Sequence, residues 1–177
     1  MSTIEQTQQG VPTGTWNADT VHSSVAFEVP YAVSTFRGEV QDFQASLVDG
    51  TLTGSAKIAS LSTRDENLDA HLASPEFFDA ERFPEVRFEG SDFSREGDQV
   101  TVDGTITIKG ITQPATLECT IVGRAVDHFD ATRVGLKLST TVDRTQFGIT
   151  WKMPLPNGDP ALANEVTLLA ELTLVGA

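Results

Sequence analysis

The sequence predicts an all-β fold: an antiparallel barrel of about eight strands, with one short helical insertion at about residues 63–82. Three observations carry this reading. Apolar and polar residues alternate at period two in successive segments from His22 almost to the C-terminus. Turn signals separate those segments at hairpin-like spacing, with Asp49-Gly50 and Lys109-Gly110 the sharpest. Only the stretch from Ser62 to about Phe83 abandons the alternation. An open two-sheet sandwich is the architectural alternative.

The first strand carries Val25, Phe27 and Val29 on one face, against Ser24, Ala26 and Glu28 on the other. The next runs from Phe36 to Val48, but Val40 and Phe43 fall out of phase, which places a β-bulge near Gln41 or Asp42. Asp49-Gly50 then turns the chain into Leu52, Gly54, Ala56 and Ile58. Further inward rows follow at Val86 and Phe88; Val100, Val102, Ile106 and Ile108; Ala115, Leu117, Cys119 and Ile121; Val134, Leu136, Leu138 and Val142; and Val166 to Leu174. Arg95-Glu96-Gly97-Asp98 and Lys109-Gly110 link antiparallel neighbours. Pro154, Pro156, Gly158 and Pro160 mark a long irregular loop before the last strand.

The exceptional segment opens with Thr63 three residues before Glu66, a capping-box spacing that predicts a helix carrying Leu68 and Leu72 on one face. Ser74-Pro75 resembles the start of a second short helix bearing Phe77 and Phe78. Phe83-Pro84 returns the chain to extended structure. Five of the 10 phenylalanines, Phe77, Phe78, Phe83, Phe88 and Phe93, lie in or just after this segment. They either plug one end of the barrel as core or wall an apolar cavity.

A net charge of -13, with 12 scattered Lys and Arg, excludes a phosphate-backbone partner such as nucleic acid and disfavours docking on an anionic membrane surface. No window approaches the apolar run of a spanning helix, so no stable membrane insertion is expected. Residues 1–13 read as a flexible polar tail without signal-peptide character, and residues 14–177 as one domain, with a cytoplasmic location as the default. The lone Cys119 excludes an intramolecular disulfide and sits on an inward row, as a small core residue would.

Catalytic and metal patterns are weak. His22, His71 and His128 are far apart and match no metal-ligand spacing, so no metal and no cofactor is expected. His22 beside Ser23 would need an orienting acid to act as a hydrolase, and a hydrogen-bonded structural histidine is the simpler reading. The glycines serve turns and crowded strand positions rather than a phosphate loop. No catalytic residue is assigned.

The motifs taken together resemble the YceI-like family of polyisoprenoid-binding, lipocalin-like proteins. Trp16-Asn17-Ala18-Asp19-Thr20-Val21-His22-Ser23 is similar to its W-x-x-D-x-x-H-S opening. Thr63 through Asp69, His71, Leu72 and Ser74 follow its T-x-x-x-x-x-D-x-H-L-x-S segment. Phe77-Phe78-Asp79, Phe83-Pro84-Glu85-Val86-Arg87-Phe88, Gly104 through Pro114, and Arg144-Thr145-Gln146-Phe147-Gly148-Ile149 resemble the later pieces. The resemblance implies an extended eight-stranded lipocalin-like barrel, often a homodimer, that holds a long isoprenoid or fatty-acyl chain in an apolar channel. It implies a carrier, store or sensor and not an enzyme. The rivals are an enzyme acting on a lipidic or quinoid substrate and a stress-linked interaction module with a filled core.

Strand phase within that barrel nominates Phe27, Val29, Phe43, Leu72, Phe77, Phe78, Phe88, Ile106, Leu117 and Phe147 as channel lining. Gly54, Ala56 and Gly104 on inward faces would leave volume for the chain. Arg64, His71 and Arg144 are candidates for a polar head group, since arginine suits phosphate and protonated histidine donates. The alternative for both arginines is an ion pair with Asp65, Asp69 or Asp143 that fixes a loop. Trp151 either covers an entrance or anchors its own loop.

Overall fold

The computed structural model describes residues 12–97 and 99–176. Most of the expected tail, and Asp98 of the Arg95–Asp98 link, lie outside the described residues. The strands are β1 (Thr15–Ala18), β2 (Ser24–Tyr31), β3 (Ser34–Val40), β4 (Phe43–Val48), β5 (Thr51–Lys57), β6 (Leu61–Ser62), β7 (Glu85–Glu96), β8 (Gln99–Ile108), β9 (Ile111–Val126), β10 (Thr132–Asp143) and β11 (Glu165–Gly176); all but the short β1 and β6 fall in the alternating segments. One helix, α1 (Glu66–Ala73), stands between β6 and β7.

Neighbours follow the order β1-β4-β5-β7-β8-β9-β10-β11, and β11 pairs back onto β1, so eight antiparallel strands close a barrel. That closure rules out the open sandwich. It depends on a strand too short to show a period: in β1, Trp16 pairs with Leu47 of β4 on one side and Gly176 of β11 on the other. Above β1 the same edge of β11 pairs with β2, which continues into β3 and β6. One end of the barrel is therefore closed by β1, and the insertion between β6 and β7 lies at the other.

Two hairpin turns have the backbone their sequences demand. Asp49 and Gly50 have φ of 48° and 84°, and Lys109 and Gly110 have φ of 52° and 75°, the left-handed pairs that match strand twist. The bulge expected near Gln41 or Asp42 is a full break between β3 and β4. There Gln41 N–H donates to the Ser60 carbonyl at 3.3 Å, and Asp42 N–H to Ser60 Oγ at 2.8 Å. A real bulge falls instead between Gly90 and Asp92 on β7.

The insertion differs from expectation in two details. Asp65, not Thr63, caps α1: its carboxylate accepts from the amides of Asn67 at 2.9 Å and Leu68 at 3.2 Å. Thr63 instead binds Asp69 Oδ1 through both its amide, at 2.7 Å, and its hydroxyl, at 2.6 Å. The second short helix is absent. Ser74 ends α1, and residues 75–82 run as turns in which Phe78 N–H donates to the Leu72 carbonyl and Ala80 N–H to that of Ala73.

Beside β1, Asp19 Oδ2 accepts from Arg133 at 2.8 Å and approaches His22 Nδ1 at 2.7 Å, while Asp127 Oδ2 accepts from Arg133 Nε at 2.7 Å. Arg133 first, and His22 second, hold the Asp19 carboxyl far below the usual carboxylate range. Ser23 Oγ accepts from the Thr173 amide at 2.9 Å. The opening motif thus ties the β1–β2 corner to β10 and β11.

Candidate functional site

The barrel is filled at one end and hollow toward the other. Around β1, Trp16, Leu47, Val102, Val134 and Leu174 are each no more than 5% exposed and form a dense apolar layer. Gly90 and Gly104 face each other there across β7 and β8, and a Cβ on Gly104 would overlap the Glu89 carbonyl and lie 2.7 Å from Gly90 Cα. Gly104 therefore permits backbone approach beside the bulge and leaves no room for a ligand, contrary to the expectation from its inward phase. Cys119 joins this core, and burial pushes its thiol up to about 11.

Above that layer, an inner cavity of about 170 Å³ is lined by Phe27, Ala45, Gly54, Ala56, Phe88 and Leu117, among others. Here small inward residues do leave space: a Cβ on Gly54 would meet nothing nearer than the Gln44 carbonyl at 3.8 Å. A second, outer chamber of about 600 Å³ lies under the insertion, with walls that include Phe36, Leu72, Phe77, Trp151 and Leu162. Phe27 and Phe78 line both spaces, their ring centroids 6.3 Å apart and edge-on at 61°.

The nominated residues divide accordingly. Phe88, Ile106 and Leu117 line the inner cavity; Val29, Leu72 and Phe77 line the outer chamber; Phe27 and Phe78 belong to both. Phe43, 6% exposed, and Phe147, 1% exposed, pack in the core and line neither space. The phenylalanines near the insertion are also dispersed. Phe83 covers Gly110 in the β8–β9 turn, and Phe93 pairs with Val102 beyond the bulge.

Among the head-group candidates, His71 lies in the wall of the outer chamber. Its Nε2 is 2.6 Å from Glu76 Oε2, and its ring meets Phe77 and Trp151 edge-on at 4.9 and 5.7 Å. Trp151 lies in the same wall, its ring centroid 5.5 Å from that of Phe77. Arg64 is exposed on the turn before α1, with φ of 73°, and lines neither space.

Arg144 is 5% exposed and donates to the carbonyls of Ile149 at 3.0 Å, Ala163 at 3.0 Å and Leu162 at 3.5 Å. It fixes a loop, as the ion-pair alternative supposed, but through carbonyls and not a carboxylate. Burial lowers its pKa, with Asp143 opposing. Around it, Phe147 enters the core, Gly148 takes φ of 74° and Ile149 is buried, which explains the spacing of that motif.

Among wall residues not nominated from the sequence, Tyr31 and Leu162 lie at a strand end and in a loop, where no period marks an inward side chain. Among the described residues, no group of three or more His, Cys, Asp or Glu is placed to hold a metal ion, and no helix is long and apolar enough to cross a membrane.

Comparison with known proteins matches this arrangement. The model of the YceI-like domain covers residues 16–174. Protein YceI of Salmonella newport is 29% identical over 142 residues, which span 73% of this chain and 72% of that protein. The crystal structure of Burkholderia cenocepacia BcnA superposes with a TM-score of 0.73 at 18% identity, covering 88% of this chain and 98% of the other. A polyisoprenoid binding domain from Saccharophagus degradans, implicated in plant cell wall breakdown, gives a TM-score of 0.69 at 9% identity, with 92% and 98% coverage. With its family model matched from Trp16 to Leu174, the chain belongs to the YceI-like domain family.

Proposed function

We propose that this protein binds an apolar lipid chain, of isoprenoid or fatty-acyl type, in the hollow half of the barrel and acts as a carrier, store or sensor without catalysis. The observation that carries the reading is the pair of apolar chambers above a solid floor, the outer one walled by aromatic rings. The structural likeness to a polyisoprenoid binding domain supports the ligand class. Burying apolar chain contributes roughly 25 cal/mol per Å² before the cost of immobilising it, so such a ligand needs few polar contacts. Of the residues that motivate the enzyme reading, His22 and Ser23 line neither chamber, and His71 alone lies in the wall of the outer one.

The mouth favours an uncharged head. Only His71 and Arg144 among its lining residues can carry positive charge; Arg144 is engaged by three carbonyls and His71 is paired with Glu76. A phosphate would enter against a net charge of -13 with no free arginine among the lining residues of the outer chamber to receive it. Native mass spectrometry tests this directly. Gently purified protein is expected to retain or take up farnesol with one-to-one stoichiometry and to bind farnesyl phosphate more weakly. Failure to take up either farnesol or a fatty alcohol would remove the proposal.

A further inference from the structure

Resting on that lipid-binding reading, we infer that Phe78 sets the length of the chain accepted, by dividing the channel so that only a short terminal segment enters the inner cavity. The two aromatic rings at the division are held differently. Phe27 is fixed: it is 8% exposed, has Phe36 edge-on at 5.6 Å, and occupies the space that a Cβ on Gly38 would need, 2.5 Å from its ring. Phe78 is only half-buried and projects from the turn after α1, with its backbone anchored to Leu72. It is the leaf that can swing into the outer chamber while the backbone stays in place.

The inner cavity is small. At about 170 Å³ it is close to the roughly 150 Å³ dry apolar cavity that accepts a benzene-sized guest. Below it, Val102 and Leu174 are fully buried, so a chain cannot thread farther along the axis. A ligand whose bulk occupies the outer chamber thus has room for about one terminal isoprene-sized group beyond Phe78. Short prenyl chains satisfy that geometry. At the same packing the outer chamber of about 600 Å³ takes roughly four more such groups, so a polyprenol much longer than about five isoprene units would leave its remaining apolar length in water.

Competition in native mass spectrometry among equimolar geraniol, farnesol, geranylgeraniol and a long polyprenol tests the assignment. Wild type is expected to favour geraniol or farnesol over the polyprenol by about tenfold or more. Phe78→Ala should move the preference toward geranylgeraniol, and Phe78→Leu should move it less. Ala56→Leu, which adds bulk to the wall of the inner cavity, should move it toward geraniol. Circular dichroism confirms that each variant is folded, and the opposed shifts cannot come from general loosening. The same length profile in wild type and all folded variants, or a wild-type preference for the polyprenol, overturns the role of Phe78 and leaves lipid binding intact. Binding of no prenol by any of the proteins overturns both.

Discussion

Arg144→Ala is expected to destabilise the protein by about 3 kcal/mol, because the three carbonyls that its guanidinium serves are left partly buried without donors. Those carbonyls belong to Ile149, Leu162 and Ala163, at the two ends of the loop that carries Trp151 across the mouth. The loop has few other ties to the barrel. They include the Ala32 amide to the Ala161 carbonyl at 2.7 Å and the Ala163 amide to the Pro30 carbonyl at 3.0 Å. Arg144→Lys should recover only part of the loss, since one ammonium cannot reproduce a planar fork aimed at separate acceptors. Denaturant midpoints measure the stability change, and limited proteolysis should cut first between residues 150 and 160. An Arg144→Ala protein as stable as wild type, with that loop equally resistant, would contradict the role assigned to the guanidinium.

Gly104→Ala should be comparably costly, for a steric reason. The added Cβ meets the Glu89 carbonyl and the Gly90 backbone, and neither can rotate away, so β7 and β8 must separate beside the bulge. Overpacking of this kind costs about 1–3 kcal/mol, and the absence of any flexible neighbour places this site at the upper end. Gly54→Ala is the matched control. The same methyl group there points into open space, so stability should hold or rise slightly as glycine's extra backbone entropy in the unfolded chain is removed. Thermal unfolding of the two variants side by side checks the pair. Equal melting temperatures would contradict a steric cost at Gly104.

The strand phase was legible because one face of each strand packs inward, and that requirement writes a period of two from Val25 to Leu174. The hairpin turns were legible because only a few residue pairs tolerate successive left-handed conformations, and Asp49-Gly50 is one of them. What escaped was set by tertiary pairing. Thr15–Ala18 is too short to express a period, yet it closes the barrel by pairing on both edges. The helix cap was misplaced by two residues because Thr63 and Asp65 both suit an N-cap, and the pull of Asp69 on Thr63 decides between them.

For the site, alternation showed which side chains point inward but not how deep they sit along the axis. Phe43 and Phe88 both lie on inward-facing rows, although one packs in solid core and the other borders a cavity. Depth also reverses the meaning of two inward glycines, since Gly54 opens space where Gly104 only lets two backbones meet. Arg144 looked like a ligand for phosphate because its residue type suits one. Its partners are carbonyls at both ends of a loop without periodicity, Ile149 5 residues on and Leu162 and Ala163 18 and 19 residues on.

The pair of chambers predicts an apolar chain inside the hollow half of the barrel, past the aromatic mouth. Photo-crosslinking with a diazirine-bearing farnesol, followed by peptide mapping, addresses it most directly. Saturable labelling is predicted on the peptides that carry Phe78, Phe88 and Leu117, and unlabelled farnesol should suppress it. Labelling confined to exposed apolar side chains such as Val33 and Phe129, or labelling that excess farnesol does not reduce, would contradict it.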